Sequence, residues 1–332
     1  MKLASLSLLL LVPLAWSAGH RVLEVMPLPG QGGSDALLVD SAARRLYVGR
    51  SNHLLVLNLD TKQQLADIID LPAIAGIAVA PGIDRGYVTS SADNRVNIFA
   101  LSDFGHLGGI RLGSNPGALV YDTAAHRFYA MNRGSNNASA IDADDGEVER
   151  TIDLGGRPGG AVATGDGRVF VTVEGRNEVV QIDAAKMAMK TRWPIANCET
   201  PHGIAFDDRR HLLFIGCAKR ALAIVNADDG ALVSTAETGE GGGDIVADSS
   251  SGLVYLANRD GSISVLGEGR AGKFEVTETV ATERGATALA FDAATHRLYV
   301  LAPAPQPTVR SPDRKPAEVD APGASQLMII GR

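Results

Sequence analysis

The chain has 332 residues, 45% of them apolar and 21% charged, with a formal net charge of −7 at pH 7. That acidic balance argues against bulk attraction to nucleic acid or to an anionic membrane surface. Aromatic residues make up only 5% of the chain, which leaves few rings to stack nucleobases.

Residues 1–17 read as a secretory signal peptide, with Lys2 as the charged start, Leu8-Leu9-Leu10-Leu11-Val12 as the apolar centre and Ala15-Trp16-Ser17 as a small-x-small cleavage site. The apolar run is too short to span a bilayer, and no other segment approaches the roughly 18 apolar residues that spanning requires. No cysteine follows the cleavage site, so a lipid anchor is not expected either. The mature chain is therefore expected to be exported, in the periplasm or the medium. Residues 21–28, Arg21-Val22-Leu23-Glu24-Val25-Met26-Pro27-Leu28, then give one strand standing apart from the pattern that follows.

That pattern is a unit of about forty residues, the period of a repeat architecture, met seven times. Each unit begins with a small-residue apolar strand reached through a Gly or Pro corner, such as Asn115-Pro116-Gly117, Arg157-Pro158-Gly159 or Thr200-Pro201-His202-Gly203. A second strand carries an aromatic anchor: Tyr47, Tyr87, Tyr129, Phe170, Phe214, Tyr255 and Tyr299 in turn. A third alternating run, a turn such as Asp144-Asp145-Gly146 or Asp228-Asp229-Gly230, and a more polar fourth strand complete it. Asp-Gly between alternating runs is a strong hairpin signal, and four antiparallel strands per unit describe the blades of a β-propeller.

The seventh unit supplies its first strand near 287–291 and its second at 296–302, then breaks into the Pro-rich stretch 303–324, with a third strand only at Gln326-Leu327-Met328-Ile329-Ile330. Its fourth strand is missing at this end and available at 21–28. Pairing the two would close the ring and remove two exposed edges. The expected architecture is an all-β, seven-bladed propeller forming a single domain over 18–332, with 303–324 inserted in the last blade. A loop of that length reads either as a lid or docking strap over the channel mouth or as a tolerated insertion.

The phrase Leu46-Tyr47-Val48, echoed at Tyr87-Val88 and Tyr299-Val300, resembles the YVTN family of bacterial seven-bladed propellers. WD40 repeats have a similar length, but the Trp-Asp dipeptide is absent. Within the YVTN family, Cys198-Glu199-Thr200-Pro201-His202-Gly203 followed by Phe214-Ile215-Gly216-Cys217 resembles the YncE-like branch of exported proteins. The resemblance covers the mature chain and implies the fold far more than a chemistry, because that branch is mostly without assigned activity.

Cys198 and Cys217 are the only cysteines. An exporting compartment and the blade register, which brings both to one face, favour a disulfide. The competing reading, a copper or zinc site of Cys198, His202 and Cys217, has no evident fourth ligand. No metal and no cofactor are predicted.

The loops entering each first strand and those joining second to third strands emerge on one face, around the channel mouth. Arg157, His202, Asp244 and Arg284 are the leading ligand-binding candidates there, with Asn132 and Asn258 beside them. Arg133, Glu174, Arg176, Lys219 and Arg259 belong to the same set. So many cations in an acidic chain suggest a locally positive funnel for a small anionic ligand or a protein partner. His126 and His296 occupy equivalent blade positions and read as turn residues.

No Gly-x-Ser-x-Gly, Gly-x-x-x-x-Gly-Lys or His-Glu-x-x-His is present. Two classes stay open. The first is a monomeric binding or scaffolding propeller, without membrane insertion or nucleic acid. The second is a lactonase-like hydrolase or lyase with a channel-mouth active site, a class that related seven-bladed propellers include. Binding is the favoured reading, and the enzyme question stays open.

Overall fold

Short runs of alternating apolar and polar residues cannot bury one face unless a second sheet covers it, and here each sheet is covered by the next. The computed structural model describes residues 19–28, 34–304 and 324–332. The signal-peptide reading of 1–17 and all but the ends of the 303–324 insertion lie outside them. The described residues form seven four-stranded antiparallel sheets, the blades of a propeller. Blade 3 shows the plan: Pro116–Asp122, Arg127–Asn132, Asn137–Asp142 and Val148–Asp153 run from the axis outward.

The first strands are Ser34–Asp40, Ile74–Ala80, Pro116–Asp122, Pro158–Ala163, Ile204–Asp207, Gly242–Asp248 and Ala288–Asp292. They neighbour one another around the channel, and small residues let them approach. A Cβ on Gly203 would lie 2.1 Å from the Gly243 carbonyl oxygen, and one on Gly76 would lie 2.4 Å from that of Gly117. Direct bonds join these strands too: the Gly160 amide donates to the His202 carbonyl oxygen (2.8 Å) and the Asp244 amide to that of Thr287 (2.9 Å).

All seven aromatic anchors are buried. Tyr129 Oη donates to the Ala184 carbonyl oxygen of the next blade (2.8 Å), and Tyr87 Oη to that of Ala143 (3.2 Å). Where the neighbouring carbonyl is Leu101 or Ala227, a guanidinium takes it instead, Arg45 or Arg168. Burial pushes the Tyr87 phenol up to about 12, so it stays a neutral donor.

The ring closes as expected. Arg21–Pro27 pairs antiparallel with Ser325–Gly331 as the outer strand of blade 7. Just before it, buried His20 meets Glu278 (2.7 Å) and Tyr255 Oη (3.1 Å) of blade 6, so the closing strand is tied to two blades. The Pro-rich insertion leaves and rejoins the blade at one point, since the Ala304 amide donates to the Ala324 carbonyl oxygen (2.8 Å). No helix among the described residues is long and apolar enough to cross a membrane.

The turn between first and second strands repeats one device in every blade. Its last residue is left-handed throughout: Arg44, Asp84, His126, His211 and His296 have φ of 55°, 58°, 58°, 56° and 52°, and Gly167 and Gly252 have 87° and 72°. Five first strands end in aspartate, at 40, 122, 207, 248 and 292. Each of these carboxylates accepts backbone amides of its own turn, as Asp122 accepts that of Ala125 (2.7 Å). His126 and His296 are thus the turn residues that their equivalent positions suggested.

Candidate functional site

On the opposite face, the loops leading into the first strands of blades 3 to 6 lie along their own blade's second-to-third-strand turn. The Arg133 amide donates to the Asn115 carbonyl oxygen (3.0 Å), Glu174 to Arg157 (2.8 Å), Ala218 to Glu199 (2.8 Å) and Arg259 to Gly241 (3.1 Å). These contacts bring the two loops of each of these blades together at the channel mouth. Asn115, Arg133, Arg157, His202, Asp244 and Arg259 line a cavity of about 450 Å³ that takes residues from blades 2 to 7.

Three of the side chains that line this cavity meet on Glu174, which stands beside it. Arg133 reaches across from blade 3 and donates from one Nη to both carboxylate oxygens (2.9 and 3.1 Å). Arg157 Nε lies 3.3 Å away within blade 4, and His202 Nδ1 of blade 5 meets Oε1 at 2.9 Å. Burial alone would raise the Glu174 carboxyl, but the His202 hydrogen bond and the charges of Arg133 and His202 hold it below the usual carboxylate range. The Arg157 side chain is 54% exposed and that of His202 44%, so both still face the solvent of the funnel.

His202 is held by its backbone as well. Its carbonyl oxygen accepts the Gly160 amide (2.8 Å) and Thr172 Oγ1 (2.7 Å), both of blade 4. Four residues earlier, the Cys198–Cys217 disulfide, with Cα atoms 5.2 Å apart, ties the loop to the end of its second strand. Both cysteines are buried and bonded to each other, so the metal reading of Cys198, His202 and Cys217 is set aside. Among the described residues no group of three or more His, Cys, Asp or Glu side chains is arranged to hold a metal ion.

Asp244 faces the same cavity from blade 6. Its Oδ2 accepts the Leu289 amide of blade 7 (3.2 Å), and Oδ1 has no hydrogen-bond partner among the described residues. Removal from water pushes this carboxyl above the usual range, against the Leu289 amide and the charge of His202, which act to lower it. Arg259 lines the cavity from the rim, exposed and with no side-chain bond among the described residues.

Three sequence candidates fall elsewhere. Arg284 lies outside the channel, in a rim cleft with Arg259, Asp260 and Glu240. The reason is local: the Gly285 amide donates to the Arg259 carbonyl oxygen (2.9 Å), so this loop runs over blade 6 before its first strand begins at Ala288. Asn132 and Asn258 are wholly buried inside their blades. Asn132 Nδ2 donates to Asn137 Oδ1 (2.7 Å) and Ser139 Oγ (2.9 Å), and Asn258 Nδ2 to Ser262 and Ser264 Oγ (3.1 and 3.0 Å). They brace a turn. Lys219 pairs with Glu199 (2.8 Å) and Arg176 with the Gly155 carbonyl oxygen (2.9 Å), away from the cavity. Arg133 and Glu174 are what the leading candidates lacked. They occupy nearly the same place in successive blades, and that spacing is the signal that marks them as neighbours.

No family model matches the chain, and no curated protein matches it. Solved structures do. A chain of the structure of U3-55K superposes with a TM-score of 0.77 at 10% identity, covering 93% of this chain and 99% of that one. A chain from the mitotic checkpoint complex gives 0.76 at 16% identity, covering 91% and 94%. One from the hydrazine synthase of Kuenenia stuttgartiensis gives 0.71 at 12% identity, covering 82% and 93%. At such identities the likeness is one of fold, and it agrees with the sheet order: the chain is a seven-bladed β-propeller.

Proposed function

We propose that this chain is an exported binding propeller of the YVTN type, YncE-like, whose channel mouth takes a small carboxylate-bearing ligand. The observation that carries the reading is the convergence of Arg133, Arg157 and His202 on the single carboxylate of Glu174. Two guanidiniums against one carboxylate leave positive charge at the mouth of an acidic chain. Scattered surface cations would not do this, because here they come from adjacent blades onto one point. A carboxylate can dock on the outward side of Arg157 and on His202 without breaking their bonds to Glu174, and forked guanidinium donors suit its planar geometry. The seven Tyr-Val-like phrases and the apolar leader at 8–12 support the family and export parts of the reading.

Titration calorimetry with butyrate, succinate and citrate at low ionic strength tests the binding. Saturable binding of at least one of them, weakened about tenfold or more by Arg157→Ala and by added salt, is expected. Absence of binding for all three rejects the reading. Recovery of a mature chain beginning near Ala18 from an exported fraction tests the localisation.

The hydrolase or lyase reading draws on one geometric fact. Glu174 holds His202 through Nδ1 (2.9 Å), the arrangement of an oriented general base, and the His202 side chain is partly exposed at the mouth. Turnover of a lactone panel, abolished by His202→Gln, would favour it.

A further inference from the structure

We infer that the ligand of the channel mouth is a zwitterion, with its carboxylate on the Arg157–His202 side and a protonated amine at Asp244. This rests on the binding function proposed above and names the ligand class. Charge in the cavity is sorted by blade. Arg133, Arg157 and His202 stand on blades 3, 4 and 5 around Glu174, and Asp244 stands on blade 6.

The two carboxylates differ in what they have left to offer. Glu174 is saturated, with three cationic or imidazole partners within 3.3 Å, and can recruit no further cation without losing one of them. Asp244 keeps Oδ1 unbonded among the described residues while Oδ2 is fixed by the Leu289 amide (3.2 Å), which aims the carboxyl without neutralising it. Arg259 lines the same cavity yet forms no ion pair with it.

A recessed carboxyl with no ion-pair partner in contact is costly to ionise, and burial raises Asp244 against the Leu289 amide and the charge of His202. A protonated amine beside Oδ1 supplies that counter-charge and makes a charge-assisted hydrogen bond. An anion alone gains nothing there, since an ionised Asp244 repels it. This reverses the role that sequence position gave Asp244, from a group that binds an anion to one that selects against a ligand bearing only negative charge.

The test compares matched pairs that differ only in the amine: β-alanine with propionate, γ-aminobutyrate with butyrate, ε-aminohexanoate with hexanoate. The chain-length series lets the spacing between the two ends be found. By calorimetry on the mature protein, at least one amino acid should bind about tenfold tighter or more than its partner, the scale of a hydrogen bond to a charged group. Asp244→Asn, whose amide oxygen can keep the Leu289 bond, should bring that ratio to about one, with a thermal melt confirming the fold. If carboxylates bind and no amino acid exceeds its partner, the inference fails and the binding function stands. If the ratio survives in Asp244→Asn, the inference fails as well. If none of the six compounds binds, the inference fails, and the binding function falls with it when succinate and citrate do not bind either.

Discussion

The first strand of blade 6 carries an aspartate near each end, and the two are held in opposite ways. At the turn face, Asp248 is buried among Ser250, Ser251 and His296 of the neighbouring blade. Burial would raise it, but those hydrogen bonds hold it down to about 2. At the channel mouth, four residues earlier, Asp244 has one amide and is pushed up. The contrast extends to the whole faces. Turn-face charges are consumed in joining blades, as in Arg44 to Asp292 (2.8 Å), Arg168 to Asp228 (2.9 Å) and Arg210 to Glu268 (3.2 Å). Mouth charges differ from blade to blade, and those of Arg133, Arg157, His202, Asp244 and Arg259 line one cavity. What repeats around the ring builds it, and what breaks the repeat is where a ligand can be distinguished.

The largest expected effect is on a repeated element. Tyr129→Ala should cost about 3–5 kcal/mol, by loss of a buried ring between blades 3 and 4, whereas Tyr129→Phe should cost about 1 kcal/mol, by loss of its bond to Ala184. Denaturant titration reads both. The disulfide is a covalent brace on the mouth face. Replacing both cysteines by alanine should remove about 3 kcal/mol, the chain-entropy value for a loop of roughly 20 residues, and should weaken carboxylate binding through His202. Unaltered binding in a variant that melts lower would show that the brace serves the fold alone.

The two aspartates give opposite pH signatures. Asp248 has a depressed folded-state pKa, so its contribution is present above the ordinary carboxylate range and is lost as pH falls toward about 2. Asp248→Ala should cost about 2 kcal/mol at pH 7, and the difference from wild type should shrink in melts below about pH 4. Asp244 has a raised folded-state pKa. Its ionisation costs stability as pH rises from the ordinary carboxylate range, so Asp244→Asn should raise the melting temperature slightly at neutral pH and leave it unchanged near pH 3. Parallel pH–stability curves for the two variants would dissolve the distinction.

Nearly all of the ring was legible in the chain, because a repeat states each rule seven times. The aromatic anchors, the small first strands, the cysteine pair and the closure by residues 21–27 follow from pattern and strand count. The site was legible only in outline. Arg133, Glu174 and His202 sit in three blades, and their meeting depends on side-chain directions that no linear spacing gives. Asn132 and Asn258 could have been read better. They end equivalent second strands, and the equivalence that marked His126 and His296 as turn residues marks these two as turn braces. Arg284 was misplaced because the loop that carries it leaves the axis to bond blade 6, a detail of Gly285 and Arg259 rather than of blade register.

The division between the two faces is tested most directly by one paired measurement: melting temperature and butyrate affinity of Arg44→Ala, which leaves the buried Asp292 without its guanidinium, beside the same pair of values for Arg157→Ala. Arg44→Ala should melt lower and bind as wild type does, and Arg157→Ala should melt as wild type does and bind about tenfold more weakly. A mouth variant that melts lower while binding is untouched would contradict the division.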